Sequence, residues 1–257
     1  MTEPAVLSVA RNRALVMEEL RRLLPGAAGF RTALPFGLAA VDSHLPEGGL
    51  TCGALHEVVP DSACALPAAL GFIVAILARL SRTYPLIFVM PAYGLRQYGR
   101  LHGHGLNGLG LDPPRLILVE TVHRRETLWA VEEALRSRAP AAVAGVIDGL
   151  DLKLSQRLHL AAVEAGLPLF VLRAAAILES SAAATRWRIA PAVAARDRFG
   201  LITRARWQLM LERCRNGRAG EWVVEYDHVA HRFSLAAALA DPARARGAGE
   251  KSVKQAS

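Results

Sequence analysis

A layered α/β architecture is predicted here: a mostly parallel sheet flanked by helices, with a β-rich addition toward the C-terminal end. Three observations carry the prediction. Short apolar runs alternate with helical segments from Ala54 to Leu172, joined by brief connections. The runs are almost continuously apolar, as in Leu86-Ile87-Phe88-Val89-Met90, which suits strands buried on both faces. Beyond Ala174 the alternation stops, and strand-like segments follow one another without helices between them.

The elements follow in chain order. Asn12 to Leu24 places Leu15, Leu20, Leu23 and Leu24 among Glu18, Glu19, Arg21 and Arg22, predicting one amphipathic helix closed by Pro25 and Gly26. With its connector this makes a segment 1–33 that packs on the body of the chain or offers a helix to a partner's groove. Leu34-Pro35-Phe36-Gly37 and Leu45-Pro46-Glu47-Gly48-Gly49 predict turns. Strands are then expected at Ala54–Val59, Leu86–Met90, Arg115–Val119, Val143–Asp148 and Pro168–Leu172. Helices are expected between them at Ala63–Ser81, Gly94–Leu101, Arg124–Arg138 and Leu154–Ala165. Thr185–Ile189, Arg206–Arg213 and Trp222–Tyr226 read as antiparallel strands, the last two joined around the turn-prone pair Asn216-Gly217. The predicted domain is therefore 34–240, followed by a disordered basic tail at 241–257 that carries Arg244, Arg246, Lys251 and Lys254.

Composition narrows the function. The 257 residues are 52% hydrophobic and 21% charged, which excludes a disordered or collagen-like chain. A net charge of +8 points to acidic partners, nucleic acid first. Cys52, Cys64 and Cys214 have no metal-type spacing and are odd in number, which argues against a disulfide framework or a zinc module and for a reducing compartment. No signal peptide is read at the start, and the apolar stretch Ala63–Ala78 is too short to span a bilayer, so a cytoplasmic protein is expected.

The loop after the first predicted long strand is where a nucleotide-binding protein would cradle phosphate on backbone amides and a lysine. It reads Val59-Pro60-Asp61-Ser62-Ala63-Cys64-Ala65-Leu66-Pro67. Glycine is missing, Asp61 repels phosphate, and two prolines remove donors. Lysine occurs only at 153, 251 and 254, so no phosphate lysine is possible in this region. The run Val143-Ala144-Gly145-Val146-Ile147-Asp148 ends in an acid, as a magnesium-holding aspartate would be presented; a capping aspartate has the same appearance.

These residues together resemble a known family. Leu45-Pro46-Glu47-Gly48-Gly49-Leu50, Phe88-Val89-Met90-Pro91-Ala92-Tyr93-Gly94-Leu95, Leu109-Gly110-Leu111-Asp112, the Asp148 run, Leu169-Phe170-Val171-Leu172-Arg173 and the late hairpin from Arg206 to Trp222 occur in the order of the RecA-like ImuA family. The likeness spans Pro35 to Leu235. It implies a RecA-like fold with a degenerate phosphate loop, and a share in SOS-induced translesion synthesis and mutagenesis. The partners it implies are an ImuB-like polymerase homologue, an error-prone DnaE-type polymerase, a recombinase and single-stranded DNA, with nucleoid association after damage. Carried onto this chain, the phosphate lysine falls in the Cys64-Ala65-Leu66 region and the water-activating glutamate at Ala92. Asp148 keeps the strand-end acid, and Arg173 takes the approximate place of a polar sensor. Asp61, Ser62 and Asp148 thus form a vestigial nucleotide site, and ATP turnover, a cofactor and a metal are not expected.

Residues 173–218 hold ten arginines against three acids, a net +7. Arg186, Arg188, Arg204, Arg206, Arg213, Arg215 and Arg218 are candidates for phosphate contacts, with Trp187 and Trp207 as stacking partners; a solvated strand face with core tryptophans is the competing reading. His102-Gly103-His104 has no third ligand nearby and reads as part of a glycine-rich turn through Gly110, Cys64 reads as an inert thiol, and the serines lack a hydrolase setting. The expectation is a non-catalytic accessory factor. The alternatives are a RecA-like ATPase with an atypical site, or a regulator binding a cell-division protein.

Overall fold

The computed structural model describes residues 32–80, 83–92, 101–173, 180–196 and 198–236. The predicted helix at 12–24 and the tail from 241 lie outside these residues, as does nearly all of the predicted helix Gly94–Leu101.

Two short strands, β1 (Ala33–Leu34) and β2 (Leu50–Thr51), pair antiparallel and bracket a one-turn helix, α1 (Ala39–Asp42). The Asp42 carboxylate accepts the amides of Phe36 (2.7 Å) and Leu38 (3.1 Å), so an acid ties this corner where the sequence read only turns. The main chain of alternation follows: β3 (Leu55–Pro60), α2 (Leu66–Leu77), β4 (Leu86–Pro91), α3 (Gly103–Gly108), β5 (Leu116–Thr121), α4 (Arg124–Ser137), β6 (Ala142–Val146), α5 (Leu152–Ala165) and β7 (Leu169–Leu172). Four strands complete it: β8 (Thr185–Arg196), β9 (Ile202–Cys214), β10 (Gly220–Asp227) and β11 (Arg232–Leu235).

Nine of these strands form one sheet in the order β5-β4-β6-β7-β3-β8-β9-β10-β11. The six from β5 to β8 are mutually parallel; β9, β10 and β11 add antiparallel steps. The first face is covered by α2, whose Phe72, Ile73 and Ile76 pack among Val58, Phe88, Phe170, Trp187, Trp207 and Leu209. The second is covered by α4 and α5, with Leu128, Val131, Leu135, Leu158 and Ala162 against Leu55, Val89, Val143, Leu169 and Val171. Gly145 allows that approach, because a Cβ there would stand 3.1 Å from a Val131 methyl. None of the second-face core residues comes from β9, β10 or β11.

Several boundaries differ from expectation. The predicted helix from Ala63 opens as a 3-10 turn at Ala63–Ala65, and the α-helix proper starts at Leu66 with Pro67 in its first turn, where a missing N–H costs nothing. The glycine-rich turn at 103–110 is largely helical: Leu106 anchors α3 in the core, and Gly110, at φ +80°, turns the chain out of it. β8 and β9 run to 12 and 13 residues because each pairs with the other well beyond the apolar positions that reveal a strand in sequence. Strand β11 was not anticipated; its Phe233 completes the aromatic cluster around Trp207 and Tyr226. Among the described residues, no helix is long and apolar enough to cross a membrane.

Candidate functional site

The carboxyl ends of the parallel strands share one edge, the place where open α/β sheets bind ligands. Asp61 and Ser62 follow β3 there, both exposed; the Asp61 amide is held by the Ile189 carbonyl (2.9 Å), and Ser62 opens the 3-10 turn without a side-chain cap. Asp148 lies two residues past the end of β6, half-buried, rather than at the strand terminus. Two strand spacings of about 4.8 Å separate β6 from β3, so Asp148 stands on the order of 10 Å across the edge from Asp61. The edge holds all three predicted residues, with β7 standing between the strand that leads to Asp148 and the one that leads to Asp61 and Ser62.

Other groups on this edge serve the helices. Arg124 donates to the carbonyls of Asp148 (3.0 Å) and Gly149 (2.5 Å), fastening the loop after β6 to the start of α4. Asp151 caps α5 by accepting the Leu154 amide (2.8 Å). Glu126 closes a capping box on α4, and the amides of Val122 and His123 hold its carboxyl below the usual range. Among the described residues, no three His, Cys, Asp or Glu side chains lie together as metal ligands would. Arg173, the approximate sensor position, does not point into the edge. Its guanidinium is buried, with Nη1 on Glu57 Oε1 (2.9 Å).

Glu57 is fully buried in the middle of β3 and accepts from a second guanidinium, Arg186 Nε at 2.7 Å. Arg186 also reaches Ser181 Oγ (3.2 Å). One residue earlier, His56 faces the opposite side of the sheet in a satisfied chain. The indole N–H of Trp187 donates to Thr185 Oγ1 (3.0 Å), which pairs with His56 Nδ1 (2.8 Å), and His56 Nε2 donates to the Thr51 carbonyl (2.9 Å). Burial drives the His56 pKa down to about 4, so the ring is neutral. Neither Glu57 nor His56 was singled out by sequence, because each sits inside an apolar strand with partners more than a hundred residues away.

The arginine segment is divided by the topology into a face and two ends. On the second face of β8 to β11, Arg188 pairs with Glu212 (2.5 Å). Arg206 pairs with Glu225 (2.5 Å), and Arg204 with Glu225 (3.2 Å) and Asp227 (3.8 Å). The bond from Arg206 is the main reason Glu225 is more acidic than an ordinary glutamate. Trp187 and Trp207 point the other way, into the core, and are not available for stacking on a ligand. A signal for this neutralisation was present: a hairpin closing on Asn216-Gly217 sets Arg204 and Arg206 on the face of Glu221, Glu225 and Asp227, just past the counted window.

Arg213, Arg215 and Arg218 differ. They sit around the turn between β9 and β10, at the amino edge of the parallel strands, and donate to neutral carbonyls: Ser181 (2.5 Å), Ala182 (3.1 Å) and Ser43 (3.3 Å). Their charge is not cancelled by any carboxylate among the described residues. Beside Arg215 lies His159 at 3.3 Å, its pKa lowered by burial and by that guanidinium. At the far end of β8, Arg196 is ten residues from Arg186, which at about 3.3 Å per residue is roughly 33 Å. Adjacency in sequence therefore does not make one basic patch.

No protein-family model matches the chain. Two curated relatives are similar to it, each named Protein ImuA, from Caulobacter vibrioides strains NA1000 / CB15N and ATCC 19089 / CIP 103742 / CB 15. Each is 36% identical over 236 residues, covering 83% of this chain and 94% of the relative.

Proposed function

The chain belongs to the ImuA family, and from that membership we propose that it is a non-catalytic accessory factor in SOS-induced translesion synthesis and mutagenesis. In this reading the α/β frame is RecA-like and is kept for its surfaces, which join an ImuB-like polymerase homologue, an error-prone DnaE-type polymerase or a recombinase to damaged DNA. The observation that carries it is the loop after β3. Exposed Asp61 and Ser62 stand where a phosphate cradle would be, Pro60 and Pro67 remove donors, and no lysine precedes Lys153. Asp148 alone does not orient metal, phosphate and water.

The test is nucleotide binding and hydrolysis by the purified full chain, with magnesium and single-stranded DNA present. Neither binding nor turnover is expected. Turnover abolished by Asp148→Ala would overturn the reading and make the protein an ATPase. For the DNA, phosphate contacts are assigned to Arg213, Arg215 and Arg218, whose charge has no carboxylate partner among the described residues. Replacing all three with alanine is expected to flatten the salt dependence of oligo-dT binding by about two units of log–log slope, at roughly 0.7 per contact. Arg206→Ala is expected to leave that slope unchanged, because Glu225 already neutralises it.

A further inference from the structure

Between α4 and α5, on the side turned away from the sheet, lies a depression of about 390 Å³ that the reading above does not use. Leu128 and Leu154 give it an apolar lining. Trp129 stands at its side, 64% exposed. Trp187 and Trp207 are buried and Trp222 is half-buried, so Trp129 is the most accessible of the four indoles.

The charge around it is unbalanced. Arg124, Arg125 and Arg157 line the depression against one carboxylate, Glu132. Glu132 holds Arg157 across from α5 (2.5 Å), and Arg124 donates to the carbonyls of Asp148 and Gly149. Arg125 has no hydrogen-bond or ion-pair partner among the described residues. It stands in the first turn of α4, where the helix dipole disfavours a cation. Neither a partner nor the helix therefore accounts for its charge. Arg125 and Trp129 are four residues apart, which places them side by side on α4. An accessible indole beside an uncompensated guanidinium suits an unpaired base with its phosphate: the base stacks on the ring, and the guanidinium meets the phosphate. A duplex keeps its bases paired and stacked on one another, so the fitting ligand is a single strand.

We propose that Trp129 and Arg125 hold one nucleotide of single-stranded nucleic acid on the outer side of α4. This site is near the carboxyl edge of the sheet, apart from Arg213, Arg215 and Arg218 at the amino edge. The inference rests on the contact with single-stranded DNA in the reading above and adds the place where a base is gripped.

The experiment titrates the full chain with oligo-dT, with a wholly abasic oligomer of the same length, and with thymidine monophosphate. Trp129→Ala is expected to weaken oligo-dT binding about ten-fold and to leave the abasic oligomer unchanged. Trp129→Phe, which keeps a stacking face, is expected to recover most of that loss. Arg125→Ala is expected to lower the log–log salt slope by about 0.7 for both oligomers. Oligo-dT binding by Trp129→Ala within two-fold of the parent overturns the inference and leaves the amino-edge arginines as the DNA contact. Equal losses for the two oligomers also overturn it, because the indole would then act through the fold and not by stacking. Thymidine monophosphate binding as tightly as oligo-dT overturns it in favour of a free-nucleotide site. Absence of oligo-dT binding by the parent chain overturns the DNA contact in the reading above, and this inference with it.

Discussion

The two halves of the sheet solve the same problem in different ways. From β4 to β3 the strands are parallel, sandwiched between helices, and their side chains on both faces are mostly apolar, with β5 as a half-exposed edge. From β8 to β11 the apolar core lies against one face; the other carries cross-strand ion pairs, Arg188–Glu212 partly exposed and Arg206–Glu225 buried. The first half gains its stability from burial, the second from burial on one face plus charge pairs that mainly fix register. The difference teaches where mutation is dangerous. A charge inside the sandwiched half has water on neither side, whereas a partly exposed charge such as Arg188 has water to fall back on.

Glu57 lies at the seam, and the largest effect is expected there. Glu57→Ala removes the carboxylate between the Arg173 and Arg186 guanidiniums, and urea denaturation is expected to show a loss of about 5 kcal/mol, at the upper end for a broken buried pair. A loss under about 1 kcal/mol would mean that the seam is hydrated and the contrast between halves is weaker than argued. Phe72→Ala, deep under the packed face, is expected to cost about 4 kcal/mol through lost burial and an incompletely collapsed cavity.

His56 sharpens the comparison through pH. Its folded pKa, about 4, is below the unfolded value near 6.5, so the unfolded chain binds the proton more readily. The neutral ring's contribution is complete above pH 6.5 and is lost as pH falls toward 4. At pH 5 the loss is on the order of 2 kcal/mol, read as a lower urea midpoint than at pH 7, and His56→Gln should flatten that slope. Equal slopes for the two proteins would remove His56 as the cause.

The smallest effect belongs to the open face. Arg188→Ala breaks a partly exposed pair with Glu212 and is expected to cost less than about 1 kcal/mol in the same denaturation experiment, less still in high salt. A cost comparable to Phe72→Ala would show that something covers this face in solution.

Much of the frame was legible in the residues, and for a physical reason. Leu86 to Met90 and Leu169 to Leu172 announce buried strands because only a doubly covered strand tolerates such unbroken apolarity. Helices α4 and α5 appear in their 3.6-residue spacing, within two residues at each boundary. The pair at β1 and β2 was not legible: two residues carry no period, and their fold depends on the Asp42 carboxylate meeting two amides. The arms of β8 and β9 were underestimated because Ala190 and Ala192, which pair with Gln208 and Arg206, are small and display little side-chain alternation.

For the candidate sites the division is similar. What the sequence by itself determined is which side chains are on offer: no lysine precedes 153 and no glycine stands in the loop after β3, so no fold can bring either to that loop from the preceding chain. What only the tertiary structure decided is which charges remain. Ten arginines between 173 and 218 read as one basic block, yet Arg173 and Arg186 close on Glu57 more than a hundred residues earlier, and Arg204 and Arg206 on Glu225 in the next strand. Composition is a property of the chain, but electrostatic potential depends on distance, and distance is set by strand register and sheet order.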